Sequence, residues 1–281
     1  DRVNADGVHP GADRVAVLDE GADAHGDGGH DGHGGPAGKA RLLLQRLTQL
    51  VDQQLLALAA ATGLPAQVAI VAVGGYGRSQ LFPYSDIDVL LLVPPDNAAL
   101  RPALEAFVTA CWDTGLEIGS SVRTVDECLA LAQQDITAQT SMLEMRHIGG
   151  RTEHFAQLLA QLPSTFHPQE FFLAKHLELR QRHTKFENAP YALEPNCKES
   201  PGGLRDLHTI LWVAKAANLG HDWHELAQHG ILTNLEAQQL ERNETTLFQI
   251  RARLHGVAGR HEDRLLFDLQ TAVALSLGLK N

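Results

Sequence analysis

Apolar and polar positions follow two different periods along this chain. Between residues 38 and 62, Leu42, Leu43, Leu47, Leu50, Val51, Leu55 and Leu58 recur at three- and four-residue steps. That spacing predicts an amphipathic helix, and Gly63 and Pro65 provide its stop. Short apolar runs over 67–73 and 87–93 predict strands, the second closed by Pro94-Pro95. A helix is expected over 98–114. A third strand is expected from Leu116 to Val122, with Glu117, Gly119 and Ser121 on one face. Thr124, with Glu127 three residues on, has the form of a capping box opening the next helix. From about residue 127 helical periodicity dominates, with candidates at 171–186, 207–217, 235–254 and 264–277. This order predicts an α+β fold: a unit with strands near 65–150, then a mainly helical region.

One place breaks the core pattern. The second strand opens with Asp86-Ile87-Asp88, about ten residues after the Gly74-Gly75 pair that ends the first. Strand side chains alternate faces, so the two aspartates share a side while Ile87 points into the core. Two carboxylates that close repel each other by about 1 kcal/mol in water and by more at lower effective dielectric. A divalent cation removes that cost. Glycines let backbone amides approach an anion closely. A phosphate cradle beside a metal-binding carboxylate pair is what nucleotidyl transfer requires.

Composition narrows the picture. The chain has 281 residues and a net charge of −11. Residues 1–36 carry eight acids and two arginines, so the remainder holds only −5. Neither part is a basic nucleic-acid platform. The 1–36 segment, rich in Gly, Asp and His, reads as a disordered tail. Cys111, Cys128 and Cys197 are far apart and odd in number, which points to reduced thiols in a cytoplasmic protein. No apolar run of about 18 residues exists, so no membrane partner is expected.

The spacing of Gly74-Gly75 and Asp86-x-Asp88 resembles the signature of the DNA polymerase β-like nucleotidyltransferase superfamily. The fuller string Gly-Gly-Tyr-Gly-Arg-x-x-Leu-Phe-Pro-Tyr-Ser-Asp-Ile-Asp, residues 74–88, is narrower. It resembles the bacterial PII-protein uridylyltransferase/uridylyl-removing enzymes. Residues 194–212, from Glu194-Pro195-Asn196-Cys197-Lys198 through Gly202-Gly203-Leu204-Arg205-Asp206 to Trp212, are similar to a second family string. Arg260-His261-Glu262-Asp263-Arg264-Leu265-Leu266-Phe267-Asp268 is similar to a third.

The resemblance implies a polymerase β-like nucleotidyltransferase domain over 37–150 and a helical domain over 151–281. It implies transfer of UMP from UTP to a tyrosine of the PII signalling protein, with Mg²⁺ as cofactor. The family continues into an HD-type hydrolase domain and paired ACT domains, and neither is expected within these residues. His30-Asp31 and His221-Asp222 are HD pairs in spelling only.

On this reading Asp86 and Asp88 hold the metal, and Glu117 is the candidate third carboxylate, ahead of Asp113 and Asp126. Gly74, Gly75, Arg78, Ser85, Arg123 and Lys198 are the candidate nucleotide-binding residues. Lys198 and Arg205 either face the nucleotide or simply pair with Glu199 and Asp206. Tyr76 and Phe82 either stack on a base or anchor the loop. Trp112, Trp212 and Trp223 are expected in cores or interfaces. Two positions depart from the family string: Gln80 stands where Glu is usual, and Ser120 where His is expected. Gln80 keeps hydrogen-bonding capacity and loses a charge. Two alternatives stay open beside uridylylation: another nucleotide or acceptor, and a regulatory module that binds nucleotide without turnover.

Overall fold

A computed structural model of the chain describes residues 36–279 apart from position 117. Of the tail read over 1–36, all but Pro36 lies outside the described residues, and Pro36 opens the first helix. The sheet has four strands in the order β3-β2-β1-β4. β1 (Ala69–Ala72) pairs antiparallel with both β2 (Ile87–Leu92) and β4 (Arg146–Gly150), and β3 (Ile118–Arg123) runs parallel beside β2. The result is the expected α+β architecture with a small mixed sheet.

Alternation along β2 builds two cores. Ile87, Val89 and Leu91 face α1 (Pro36–Ala61) and α3 (Arg101–Asp113), where Val51, Leu55, Phe107 and Cys111 are fully buried. Leu90 and Leu92 face the other way, onto α4 (Val125–Gln134), α5 (Ile136–Met142) and α6 (Thr152–Gln161), against Val125, Cys128, Met142 and Leu158. Each such side chain contributes about 1.5–3 kcal/mol by leaving water. The capping box forms: Thr124 accepts from the Glu127 N–H, and Glu127 accepts from the Thr124 N–H.

Two elements differ from the sequence expectation. The Gly-Gly turn is a single helical turn, α2 (Gly74–Gly77), entered through Gly74 at φ +58°. That left-handed conformation is one glycine adopts without penalty. β4 is a strand that hydrophobic periodicity does not announce. Its Arg146 is fixed instead by Asp52 of α1, donating from Nη1 at 2.7 Å and Nη2 at 3.0 Å.

The helical region follows as α7 (Pro168–Lys185), α8 (Leu204–Ala216), α9 (Trp223–Gln228), α10 (Asn234–Ala258) and α11 (Phe267–Ser276). Asp222 caps α9 by accepting from the Glu225 N–H at 2.8 Å. α10 is the spine, packing on α1, α8, α9 and α11. Ala40 and Leu44 of α1 share a core with Phe82, Leu204, Phe248 and Ala252, which locks the helical region against the sheet unit. Arg41 adds a 2.8 Å pair with buried Glu244. Trp212 and Trp223 are buried as expected, whereas Trp112 stands 62% exposed. The three cysteines are free and buried, and burial pushes their thiols up to about 11, 11 and 12. No helix among the described residues is long and apolar enough to cross a membrane.

His208 on α8 is buried, and burial together with the charges of Arg78 and Arg205 lowers its pKa well below 6.5. The folded chain therefore keeps it neutral while the unfolded chain binds a proton as pH falls past about 6.5. Its contribution is present above that pH and is lost on acidification. Replacement His208→Leu is expected to flatten the acid side of the stability–pH curve by about 1.4 kcal/mol per pH unit below 6.5, measured by denaturant unfolding.

Candidate active site

The start of β2, the α2 turn and the second sequence motif surround one cleft of about 430 Å³. Asp86 and Asp88 line it and are exposed to it, while Ile87 between them is 1% exposed. Loss of surrounding water, then the Asp86 charge, pushes the Asp88 carboxyl above the usual carboxylate range, and Lys198 opposes the shift. Two glycines make room for that carboxylate. In the parallel register Gly119 lies opposite Asp88, and a Cβ on Gly119 would stand 2.9 Å from Asp88 Oδ1. A Cβ on Gly74 would stand 3.5 Å from Oδ2. Gly119 has no positive φ, so Gly119→Ala costs the backbone little. It is expected to lower catalytic turnover about tenfold by turning the carboxylate, with stability unchanged within about 0.5 kcal/mol. Parallel kinetics and thermal melts check both.

Gly74, Gly75 and Ser85 line the same cleft. The leading amides of a helical turn have no partner within it. Arg78 also reaches the cleft but is already held: it is ion-paired with buried Glu144, and its Nε donates to Gln80 Oε1 at 2.8 Å. Gln80 thus orients Arg78. Tyr76 and Phe82 are buried anchors. Tyr76 Oη donates to Asp52 Oδ1 at 2.5 Å, and Phe82 packs edge-on against Phe248.

The opposite wall is helical and basic. Asn196 Oδ1 accepts from the Lys198 and Glu199 N–H groups at 3.0 and 2.7 Å, which winds the loop tightly ahead of α8. Gly203 closes it, because a Cβ there would meet the Lys198 and Ser200 carbonyl oxygens at 2.9 Å. Lys198, Arg205 and Arg251 face the cleft from this side, with His261 beside them. Arg205 is paired with Glu199 at 3.1 Å. Asp206 turns away to Arg182 and His183, so it partners neither Lys198 nor Arg205.

One candidate stands elsewhere. Arg123 lies at the far end of β3 opposite Leu92, about four residues or 13 Å along the strands from the Asp88–Gly119 pair, and does not line the cleft. Glu117 lies outside the described residues. Sequence reasoning missed Glu144, Lys175, Arg182, Arg251 and His261, all of which line the cleft. Isolated charges on helices look like solvated faces. Only His261 carried a signal, since it sits in the third family string.

A family profile described as a nucleotidyltransferase domain matches residues 59–177, and one described as GlnD PII-uridylyltransferase matches residues 170–281. A bifunctional uridylyltransferase/uridylyl-removing enzyme of Cupriavidus pinatubonensis is 56% identical over 239 residues, covering 85% of this chain and 28% of the relative. Over these residues the chain belongs to the PII-uridylyltransferase family. A Burkholderia orbicola protein with the same description is 53% identical over 237 residues, covering 84% of the chain and 28% of itself. The chain thus spans between a quarter and a third of the length of the curated uridylyltransferases it matches. The two profile matches take in one wall each, the Asp86–Asp88 wall by the first and the Lys198–Arg251 wall by the second.

Proposed function

We propose that this chain transfers UMP from UTP to a tyrosine hydroxyl of a PII-type signalling protein and releases pyrophosphate. The observation that carries the reading is the opposition, across one cleft, of an exposed carboxylate pair on β2 and a basic helical wall. The names of the relatives support the uridylyl group and the PII-type acceptor.

The donor set fits Mg²⁺: two carboxylates on one strand face, hard oxygen ligands with room kept by Gly74 and Gly119. Bound there, Mg²⁺ would offset the charge of the triphosphate and favour the ionised form of the acceptor hydroxyl. Asp86 and Asp88 would hold the ion, and Glu117, immediately before β3 in sequence, is the proposed third carboxylate. The Gly74 and Gly75 amides and the Ser85 hydroxyl serve the phosphates on the sheet side. Lys198 and Arg205 serve them on the helical side. Arg78 keeps α2 in place through Glu144. The acceptor oxygen forms a bond to the α-phosphorus, the α–β bridging bond breaks, and the hydroxyl proton passes to water. Such transfer asks for alignment and charge stabilisation rather than a covalent protein intermediate.

The test is incubation of the chain with α-labelled UTP, Mg²⁺ and purified PII protein. Label on the acceptor is expected, with a preference for UTP over ATP, CTP and GTP in competition. Nucleotide binding without label would favour a regulatory module, and equal labelling by all four nucleotides would refute uridylyl selectivity.

A further inference from the structure

The basic wall has an acid at its centre. Asp263 is 9% exposed and lies just after α10, where its carbonyl accepts from the Cys197 N–H at 2.8 Å. Its carboxylate is clamped from below. Arg251 donates from Nε at 2.6 Å to Oδ1 and from Nη2 at 3.3 Å to Oδ2, and His255 Nε2 lies 3.1 Å from Oδ1. Toward the cleft, His261 Nε2 stands 3.2 Å from Oδ2 and Lys198 Nζ 3.8 Å from it.

His255, His261 and Asp263 have the composition of a metal centre, with ligand atoms within 4.8 Å of one another. The guanidinium of Arg251, bonded to both carboxylate oxygens, already supplies the positive partner. The arrangement is instead a buried anion holding cationic and hydrogen-bonding arms. Although burial alone would raise it, the His255 hydrogen bond and the Arg251 charge hold the Asp263 carboxyl far below the usual range. It therefore remains charged across the working pH range.

We propose that Asp263 is a positioning residue, whose carboxylate gathers Lys198 and His261 into a polyphosphate-binding arm facing Asp86 and Asp88. Burial, then the charges of Arg251 and Arg205, disfavour the charged form of Lys198. Asp263 offsets that repulsion and fixes where the ammonium points. The ligand chemistry is that of a pyrophosphoryl group, and its identification as the leaving group rests on the transferase reading above.

Calorimetric titration of the chain with inorganic pyrophosphate tests the arm directly. Asp263→Asn keeps shape and acceptor oxygen but removes the charge, and is expected to weaken pyrophosphate about tenfold. In a cycle with Lys198→Met the losses should not add: the double variant should bind about as weakly as the weaker single one rather than about fiftyfold below wild type. If Asp263→Asn melts too low to titrate, Lys198→Met and His261→Asn carry the test, each weakening binding about fivefold. Unchanged affinity, or fully additive losses with only a lower melting temperature, overturns the proposal and reduces Asp263 to a staple between α10 and the 194–204 loop. A chain that labels PII yet binds pyrophosphate independently of Asp263 sinks the arm alone. A chain whose pyrophosphate affinity depends on Asp263 but which labels nothing sinks the transferase reading alone.

Discussion

Replacing Asp86 and Asp88 together with asparagine is expected to abolish nucleotidyl transfer, by about 10³-fold or more, while leaving the chain folded. The two side chains leave the sheet at the mouth of the cleft, and the residue that stabilises this part of β2 is Ile87, buried between them. Asparagine keeps the volume and one acceptor oxygen but not the charge that balances a hard divalent ion. Removing one well-aimed electrostatic partner at a reacting centre typically costs 10²–10³-fold, and here two are lost at once. Stability should move the other way. The Asp86 charge already disfavours ionisation of Asp88, so neutralising both relieves a repulsion that folding tolerates for function. An unchanged or higher melting temperature with activity gone is the expected pairing, read from a thermal scan and the labelled-UTP assay on the same preparation. Label transfer that survives in the double variant would overturn the metal-pair mechanism.

That combination was legible in the sequence because one physical rule, alternation along a strand, determines both the fold and the site. Val, Leu and Ile on β2 announce a strand, and two aspartates at its start violate the pattern on one face only. Thr124 and Glu127 were legible for a similar reason, since a capping box is a purely local exchange of hydrogen bonds. β4 was not legible. Arg146-His147-Ile148-Gly149-Gly150 has too few apolar positions to show a period, and it becomes a strand by pairing with β1 and by the Arg146–Asp52 contact 94 residues away in sequence. Of the basic wall, Lys198 and Arg205 were legible in the second family string, whereas Arg251 was hidden for the same reason. Lys198 and Arg251 come from segments some fifty residues apart, and only the packing of α10 under the 194–204 loop brings them together. Nor could spacing say that Glu144 holds Arg78 or that Asp206 answers Arg182 and His183. Ion-pair partners across a tertiary interface leave no period in the chain.

Gly77→Ala is expected to produce a large stability loss. Gly77 ends the α2 turn and is buried. A Cβ built there would fall 1.8 Å from the Glu144 carbonyl oxygen, 2.9 Å from its carbon and 3.0 Å from the Ala72 carbonyl oxygen. All three are backbone atoms, so no rotamer change relieves the clash. The α2 turn must move away from the 144 segment, and that separates Arg78 from Glu144, whose side chain is 2% exposed. Overpacking costs about 1–3 kcal/mol, and breaking a buried ion pair about 3–5 kcal/mol. A loss of at least about 3 kcal/mol is expected, which for a chain of this size lowers the melting temperature by about 6 °C or more. Activity should fall with it, because Gly74 and Gly75 ride on the same turn. Gly63→Ala is the matched control. Gly63 has φ +65° but nothing within 4 Å of an added methyl, so it incurs only the left-handed backbone penalty of about 1–2 kcal/mol. If Gly77→Ala melts no lower than Gly63→Ala, the close approach of α2 to Glu144 is wrong, and with it the placement of Arg78 at the cleft.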